Sequence, residues 1–323
     1  MPNPTERPTH PQQSAAGPLI ALTGATGFIG RHLLRELPKR GYRFRVLLRR
    51  PVDVELDCAS AVIGDLARPQ NLSAALAGVD AVVHSAGVSP GVSGLPDADH
   101  RILNAEATHN LARAAQAARV KRFVFLSSIR AQSGPAAEGV LTEARPAAPT
   151  DAYGKSKLEA EQGLAALDFD WVALRPVLVY GKGMEGNFAA LVRLAHSPYP
   201  LPLGGLKARR SLLSIDNLVD AVAAVLAAPS PLRRPYIVAD LQALTVPQMI
   251  SAMRKGLARR PGLIPLPAPL FKLGLHALGR EAWYERLACP LVVDPSALRG
   301  VGWTPQVSTE AGLRALMSGF DAR

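Results

Sequence analysis

The chain has 323 residues, 48% of them hydrophobic, and a formal net charge of +11. This is enough apolar material for a substantial core in one large domain or two closely joined ones. Cys58 and Cys289 stand too far apart for a disulfide framework or a zinc site, and fit a reducing, cytoplasmic setting. No apolar run approaches the ~18 residues of a membrane span, so a soluble protein without a transmembrane segment is expected. The positive charge would suit an anionic partner. However, the arginines are spread along the chain and only Arg254–Arg260 is a compact basic run, so no nucleic-acid partner is expected.

Residues 1–18 hold five prolines and no apolar core segment, and read as a disordered tail. Leu19–Leu22 then form a short buried strand, and Thr23–Gly30 reads TGATGFIG. Ile29, Leu33, Leu34 and Leu37 follow on one helical face. Strand, glycine turn and helix in this order make a dinucleotide-binding unit. Gly24 allows the tight turn, Gly27 lets backbone approach a pyrophosphate, and Gly30 lets the helix pack on the strand. The free N–H groups at the helix start, around Thr26, Phe28 and Ile29, receive the phosphates.

Phe44–Leu48 is a second strand. At its end, where an acidic residue would bind the ribose 2′-hydroxyl of NAD, stand Leu48, Arg49 and Arg50. A missing carboxylate and a guanidinium at Arg49 favour the 2′-phosphate of NADP, with NAD as the other possibility. A solvated basic turn before Pro51 is the structural alternative. Ser60–Leu66 is a third strand; Asp65, followed by Leu66, is either an acceptor for the adenine amine or a turn residue. Asp80–Gly87 is a fourth strand whose small end, Ala86 and Gly87, lets backbone run beside the cofactor. His84 reads as a packed strand-end residue. Ile102–Ala118 is a helix and Lys121–Ser128 a fifth strand. This alternation implies an α/β fold, a doubly wound parallel sheet with helices on both faces.

Ser127 and Ser128 stand at the carboxyl end of a strand, where ligands bind in such sheets. Pro149, Thr150 and Asp151 prepare a helix start, and Tyr153 and Lys157 share one face of that helix. A nearby ammonium would stabilise the phenolate and lower the tyrosine pKa from its usual ~10. Tyr153 is then a general acid/base, Lys157 also a ribose ligand, and Ser128 a grip on the substrate oxygen.

These motifs resemble the extended short-chain dehydrogenases/reductases, of the nucleotide-sugar epimerase/dehydratase family, from Leu19 to about Leu316. The matching pieces are TGATGFIG, GDL at Gly64–Leu66, VVHSAG, LNAEAT, FLSS, YGKSK and LRPVLVYG at Leu174–Gly181. The resemblance implies a Ser-Tyr-Lys triad at Ser128, Tyr153 and Lys157, with 25 positions between the first two. It also implies a nucleotide-sugar substrate, a homodimer, and diphosphate contacts from Asn187 and Arg210. A helix cap and a surface arginine are the structural alternatives for that last pair. One departure stands out: where the hexose epimerases of the family carry a sugar-contacting Asn, this chain has Leu178.

The expected organisation is a Rossmann domain, 19–181 plus about 209–240, and a smaller, mainly helical substrate domain, about 182–208 plus 241–323. In the latter, a helix starts at Asn187, and another follows Arg209 and Arg210 from around Val219. A strand is expected at Tyr236–Asp240, a helix at Val246–Leu257, and a closing helix capped near Ser308 or Thr309. Pro261–Arg280 is apolar and proline-punctuated, suited to packing in the small domain, to a dimer partner, or to a membrane surface beside the basic run. Three functions stay open. They are hydride transfer at carbon 4 of a UDP-sugar (epimerase or ketoreductase), reduction of another carbonyl compound, and non-catalytic dinucleotide binding.

Overall fold

The computed structural model describes residues 17–318, apart from 52–57, 69, 89–95, 185–186, 230, 278, 280–283 and 285–286. Nearly all of the expected tail, residues 1–16, thus lies outside the described residues. In chain order the strands are β1 (Leu19–Thr23), β2 (Arg43–Leu48), β3 (Ala59–Val62), β4 (Ala81–His84), β5 (Arg122–Leu126), β6 (Val140–Leu141) and β7 (Trp171–Pro176). They continue with β8 (Leu178–Tyr180), β9 (Arg209–Arg210), β10 (Leu212–Ser214), β11 (Arg234–Val238), β12 (Leu244–Thr245) and β13 (Val292–Val293). Seven of them form one parallel sheet in the order β11-β7-β5-β4-β1-β2-β3.

The order runs outward in both directions from β1 and β4. The crevice at the carboxyl ends of these two strands is therefore the topological switch point where such sheets bind ligands. Thr23 pairs with His84 there, at the mouth of the glycine turn.

The helices are α1 (Phe28–Glu36), α2 (Ser73–Leu76), α3 (Asp97–His100), α4 (Ala107–Ala117), α5 (Ala152–Ala165), α6 (Asn187–His196), α7 (Ile215–Ala227), α8 (Val246–Gly256) and α9 (Ala268–Ala277). Successive strand residues point to opposite faces, and both faces are covered. Ile20 and Leu22 join a core with Leu33 of α1 and Val222 of α7, while Ala21 faces a second core with Leu111 of α4 and Leu164 of α5. A third core holds Phe188, Leu191, Val192, Met249, Ile250, Met253 and Phe271, with Leu313 and Met317 of the closing helix Thr309–Ser318.

Some boundaries differ from the sequence reading. β3 ends at Val62 because the chain turns at Gly64, whose φ is +74°. α7 begins at Ile215, four residues before Val219, because the Ser214 hydroxyl accepts from the Asn217 N–H and caps it. Leu291, Val293, Leu298 and Trp303 pack in the first core. Ser308, as expected, caps the closing helix by accepting from the Ala311 N–H.

Candidate active site

The glycine turn is dictated by contact. Gly24 has φ +71°, and a Cβ on it would meet Ala86 N at 2.6 Å. A Cβ on Gly30 would lie 2.1 Å from Gly24 O, so the first turn of α1 packs directly on the end of β1. Gly27 is the N-cap of α1 with no side-chain cap, and no acidic residue occupies the first turn. The helix start thus keeps N–H groups without intrahelical partners, among them those of Phe28 and Ile29 beside exposed Thr26 and Gly27. This uncapped positive end, reached over glycine, fits a dinucleotide pyrophosphate. Arg49 and Arg50 follow buried Leu48 at the end of β2, and both are exposed. Asp65 Oδ1 accepts from the Ala67 N–H at 3.0 Å, the turn role considered for it, and the Leu66 carbonyl accepts from Asn110.

Across the crevice, the Ala86 N–H donates to Thr23 Oγ1 at 3.2 Å. Thr23 Oγ1 lies 2.6 Å from His84 Nδ1, His84 Nε2 lies 3.1 Å from Thr108 Oγ1, and the Thr108 hydroxyl donates to the Asn104 carbonyl. Because Thr108 spends its proton on that carbonyl, the chain runs one way: Nε2 carries the imidazole proton and Nδ1 accepts from Thr23. Burial, helped by the Lys157 charge, lowers the His84 pKa to about 3, so the ring is neutral. His84 is the packed residue that its strand position suggests.

Asn104 was not singled out by sequence reasoning. It is fully buried in a π-turn, Arg101–Glu106, the kind of helix irregularity often found at functional sites. Its Oδ1 accepts from the Val88 N–H, and its Nδ2 donates to the Val88 carbonyl and to Ser156 Oγ. It therefore stitches the Ala86–Val88 loop to the helix of Tyr153 and Lys157. The available signal was a polar residue in line with Thr108, Leu111 and Ala115 on one buried helix face.

Asp151 caps α5 by accepting from the Gly154 N–H at 2.7 Å, and also pairs with Arg130. Tyr153, on the first turn, is half-buried, with the Ser128 hydroxyl near its phenol. Ser128 Oγ also accepts from the Arg130 N–H. Lys157 Nζ donates to the Leu126 carbonyl at 2.9 Å and lies 5.9 Å from the Tyr153 ring centre. A Cβ on Gly87 would come within 3.2 Å of that Nζ, so the lysine head, the tyrosine and the β4 loop converge. His100 packs edge-on against Tyr153 at 6.2 Å, and its Nδ1 is buried without a hydrogen-bond partner.

The electrostatics correct one expectation. The Tyr153 pKa is raised, not lowered, because burial of the phenol outweighs the lowering effect of the neighbouring Ser128 hydroxyl. The Asp151 charge adds to the rise and the Arg130 charge opposes it. Burial lowers the Lys157 pKa to about 8, partly opposed by the Glu161 charge. Without ligands, Tyr153 is a neutral acid with a proton to give.

Beneath the triad lies an ionic network that sequence reasoning also missed. Glu161, one helical turn beyond Lys157, pairs with Arg175 of β7 and accepts from the Ser127 hydroxyl. Arg175 also reaches Gln132. All four side chains are buried. The network ties the end of β5, the following turn, α5 and β7 together, and so fixes Ser128 against Tyr153.

The two residues expected to contact a diphosphate fare differently. Asn187 starts α6, as expected, but its side chain lies outside what is described. Arg210 is not the plain surface arginine of the structural alternative. Its guanidinium donates to the Cys289 carbonyl at 2.7 Å and to the Pro135 carbonyl at 2.9 Å. It joins the loop after Ser128 to the C-terminal segment. Cys58 and Cys289 form no disulfide, and no metal-binding cluster occurs among the described residues.

Comparison with known proteins agrees with this geometry. The UDP-glucose 4-epimerase of Vibrio cholerae is 33% identical over 317 residues, covering 93% of this chain and 95% of that protein. The ceramide reductase of Caulobacter vibrioides (strain NA1000 / CB15N) is 29% identical, covering 89% and 86%. The structure of MoeE5 in complex with UDP-glucuronic acid and NAD superposes with a TM-score of 0.72 at 25% identity, covering 92% of this chain and 97% of that one. Residues 20–239 match the NAD dependent epimerase/dehydratase family. The chain belongs to that family and is an extended short-chain dehydrogenase/reductase enzyme.

Proposed function

We propose that this enzyme transfers a hydride at carbon 4 of a UDP-hexose, as a 4-epimerase or as the reductase of a UDP-4-keto sugar. The observation that carries the chemistry is the convergence of the Ser128 hydroxyl, the Tyr153 phenol, Lys157 Nζ 5.9 Å from the Tyr153 ring centre, and the Gly87 loop. The 33% identical relative from Vibrio cholerae, aligned over nearly its whole length, supports the sugar nucleotide. Bound dinucleotide supplies or accepts the hydride. Tyr153 gives its proton to the carbon-4 oxygen in reduction and takes it back in oxidation. Ser128 holds that oxygen, and Lys157 holds the ribose within reach of the phenol. Exposed Arg49 after buried Leu48 supports NADP over NAD. A homodimer in the cytoplasm completes the reading.

A second reading, reduction of a nucleotide-free ketone, rests on Leu178. It is 46% exposed on β8, an apolar side chain where the resembling hexose epimerases present an amide. The ceramide reductase relative is consistent with this. One experiment separates the readings: incubation with UDP-glucose, UDP-N-acetylglucosamine, a UDP-4-keto-6-deoxy sugar and a long-chain ketone. Isomer without net cofactor consumption identifies an epimerase, and stoichiometric NADPH loss with the keto-sugar a reductase. Turnover of the ketone alone refutes the UDP-sugar.

A further inference from the structure

α9 is apolar on two sides. Phe271 and Leu275, one turn apart, pack inward on the third core. Leu270, Leu273 and Ala277 form a second stripe facing outward, with Leu270 54% and Leu273 63% exposed. The chain leading into α9 adds Ile264 at 50% exposure. Ile264 is bound to the neighbouring loop through Leu201: the Ile264 N–H donates to the Leu201 carbonyl at 2.8 Å. That loop carries Tyr199, at 73% the most exposed of the large hydrophobics among the described residues. Arg254 locks the two segments together, donating to the carbonyls of Ser197, Tyr199, Pro261 and Gly262. The patch therefore sits on a braced scaffold.

Its charge is one-sided. From Arg254 to Gly279 the sequence has no Asp or Glu, and neither has the facing loop 197–208. Arg259, Arg260 and Lys272 are exposed around the apolar side chains. Arg259 also donates to the His196 carbonyl, and Lys272 lies over the Tyr284 ring at 5.5 Å. Among the described residues, one cation of this segment, Lys255, has a carboxylate partner, Glu310.

We propose that this face docks on an anionic lipid bilayer, Tyr199, Ile264, Leu270 and Leu273 entering the interface while Arg260 and Lys272 meet headgroup phosphates. No helix among the described residues is long and apolar enough to cross a membrane, so the contact is peripheral. Charge decides the occupant. A second copy in a two-fold contact would bring Arg260 and Lys272 towards their own images, and among the described residues of this face, 254–279 and 197–208, no carboxylate is there to meet them. An anionic bilayer offers apolar depth and negative charge together. The proposal stands apart from the substrate reading, because none of these residues touches Ser128, Tyr153 or Lys157.

The test is flotation of the full chain with phosphatidylcholine vesicles, alone or mixed with phosphatidylglycerol, at low and high salt. Wild type should float with the anionic vesicles at low salt and stay behind with the zwitterionic ones. The pairs Leu270→Glu/Leu273→Glu and Arg260→Glu/Lys272→Glu should each lower partitioning by about tenfold or more. An unchanged thermal unfolding midpoint shows that each variant is folded, and should one pair unfold the other decides. Failure of wild type to float, or flotation of both folded variants at the wild-type level, overturns the proposal. So does a dimer that becomes a monomer in sedimentation when Leu270 and Leu273 are replaced, since the face would then join two copies.

Discussion

Lys157→Met should stabilise the ligand-free protein near neutral pH while abolishing most of its activity. Lys157 is 5% exposed, and burial lowers its pKa from the ordinary 10.5 to about 8. At 1.36 kcal/mol for each pH unit, that gap makes the buried charge cost about 3 kcal/mol. The sign follows from proton counting. Below about pH 8 both states hold the proton and the full cost is present. Between about pH 8 and 10.5 the unfolded chain holds more protons than the folded one, so wild-type stability rises with pH. Methionine removes the charge but leaves the Leu126 carbonyl without its 2.9 Å donor, a loss of about 1–3 kcal/mol. The variant should therefore be more stable by up to about 2 kcal/mol near pH 7, and equal or less stable near pH 10. Urea unfolding followed by the fluorescence of buried Trp171 and Trp303 measures both points. A variant that is less stable near pH 7, or a difference indifferent to pH, would show that Lys157 carries no burial cost.

Tyr153→Phe keeps the ring against His100 and loses only the phenol oxygen. Turnover should fall ~100- to 10,000-fold with cofactor affinity nearly unchanged, and wild-type turnover would remove Tyr153 from the chemistry. Arg49→Ala should weaken NADPH by about tenfold, equivalent to ~1.4 kcal/mol, and leave NADH unaffected in fluorescence titration. Equal affinities for the two cofactors in wild type, unchanged by the substitution, would refute the preference.

Local signals made much of this protein legible in one dimension. TGATGFIG carries its own geometry, because a strand end, a left-handed glycine and an uncapped helix start are neighbours in sequence. Tyr153 and Lys157 declared a shared face through helical spacing alone, and Asp151 announced the cap. The alternation of strands and helices implied the parallel sheet through connection lengths and handedness. Tertiary structure decided what depends on distant partners. Asn104 serves the site because a π-turn turns it towards Val88 and Ser156. Glu161 and Arg175 meet only after β7 is laid beside β5. Arg210 bonds to carbonyls 75 and 79 positions away, a role that no spacing could suggest. Above all, the direction of the Tyr153 pKa was hidden. Sequence placed an ammonium four residues away, but solvation decides the phenol's acidity, and it belongs to the folded interior. There the cost of burying the phenolate raises its pKa.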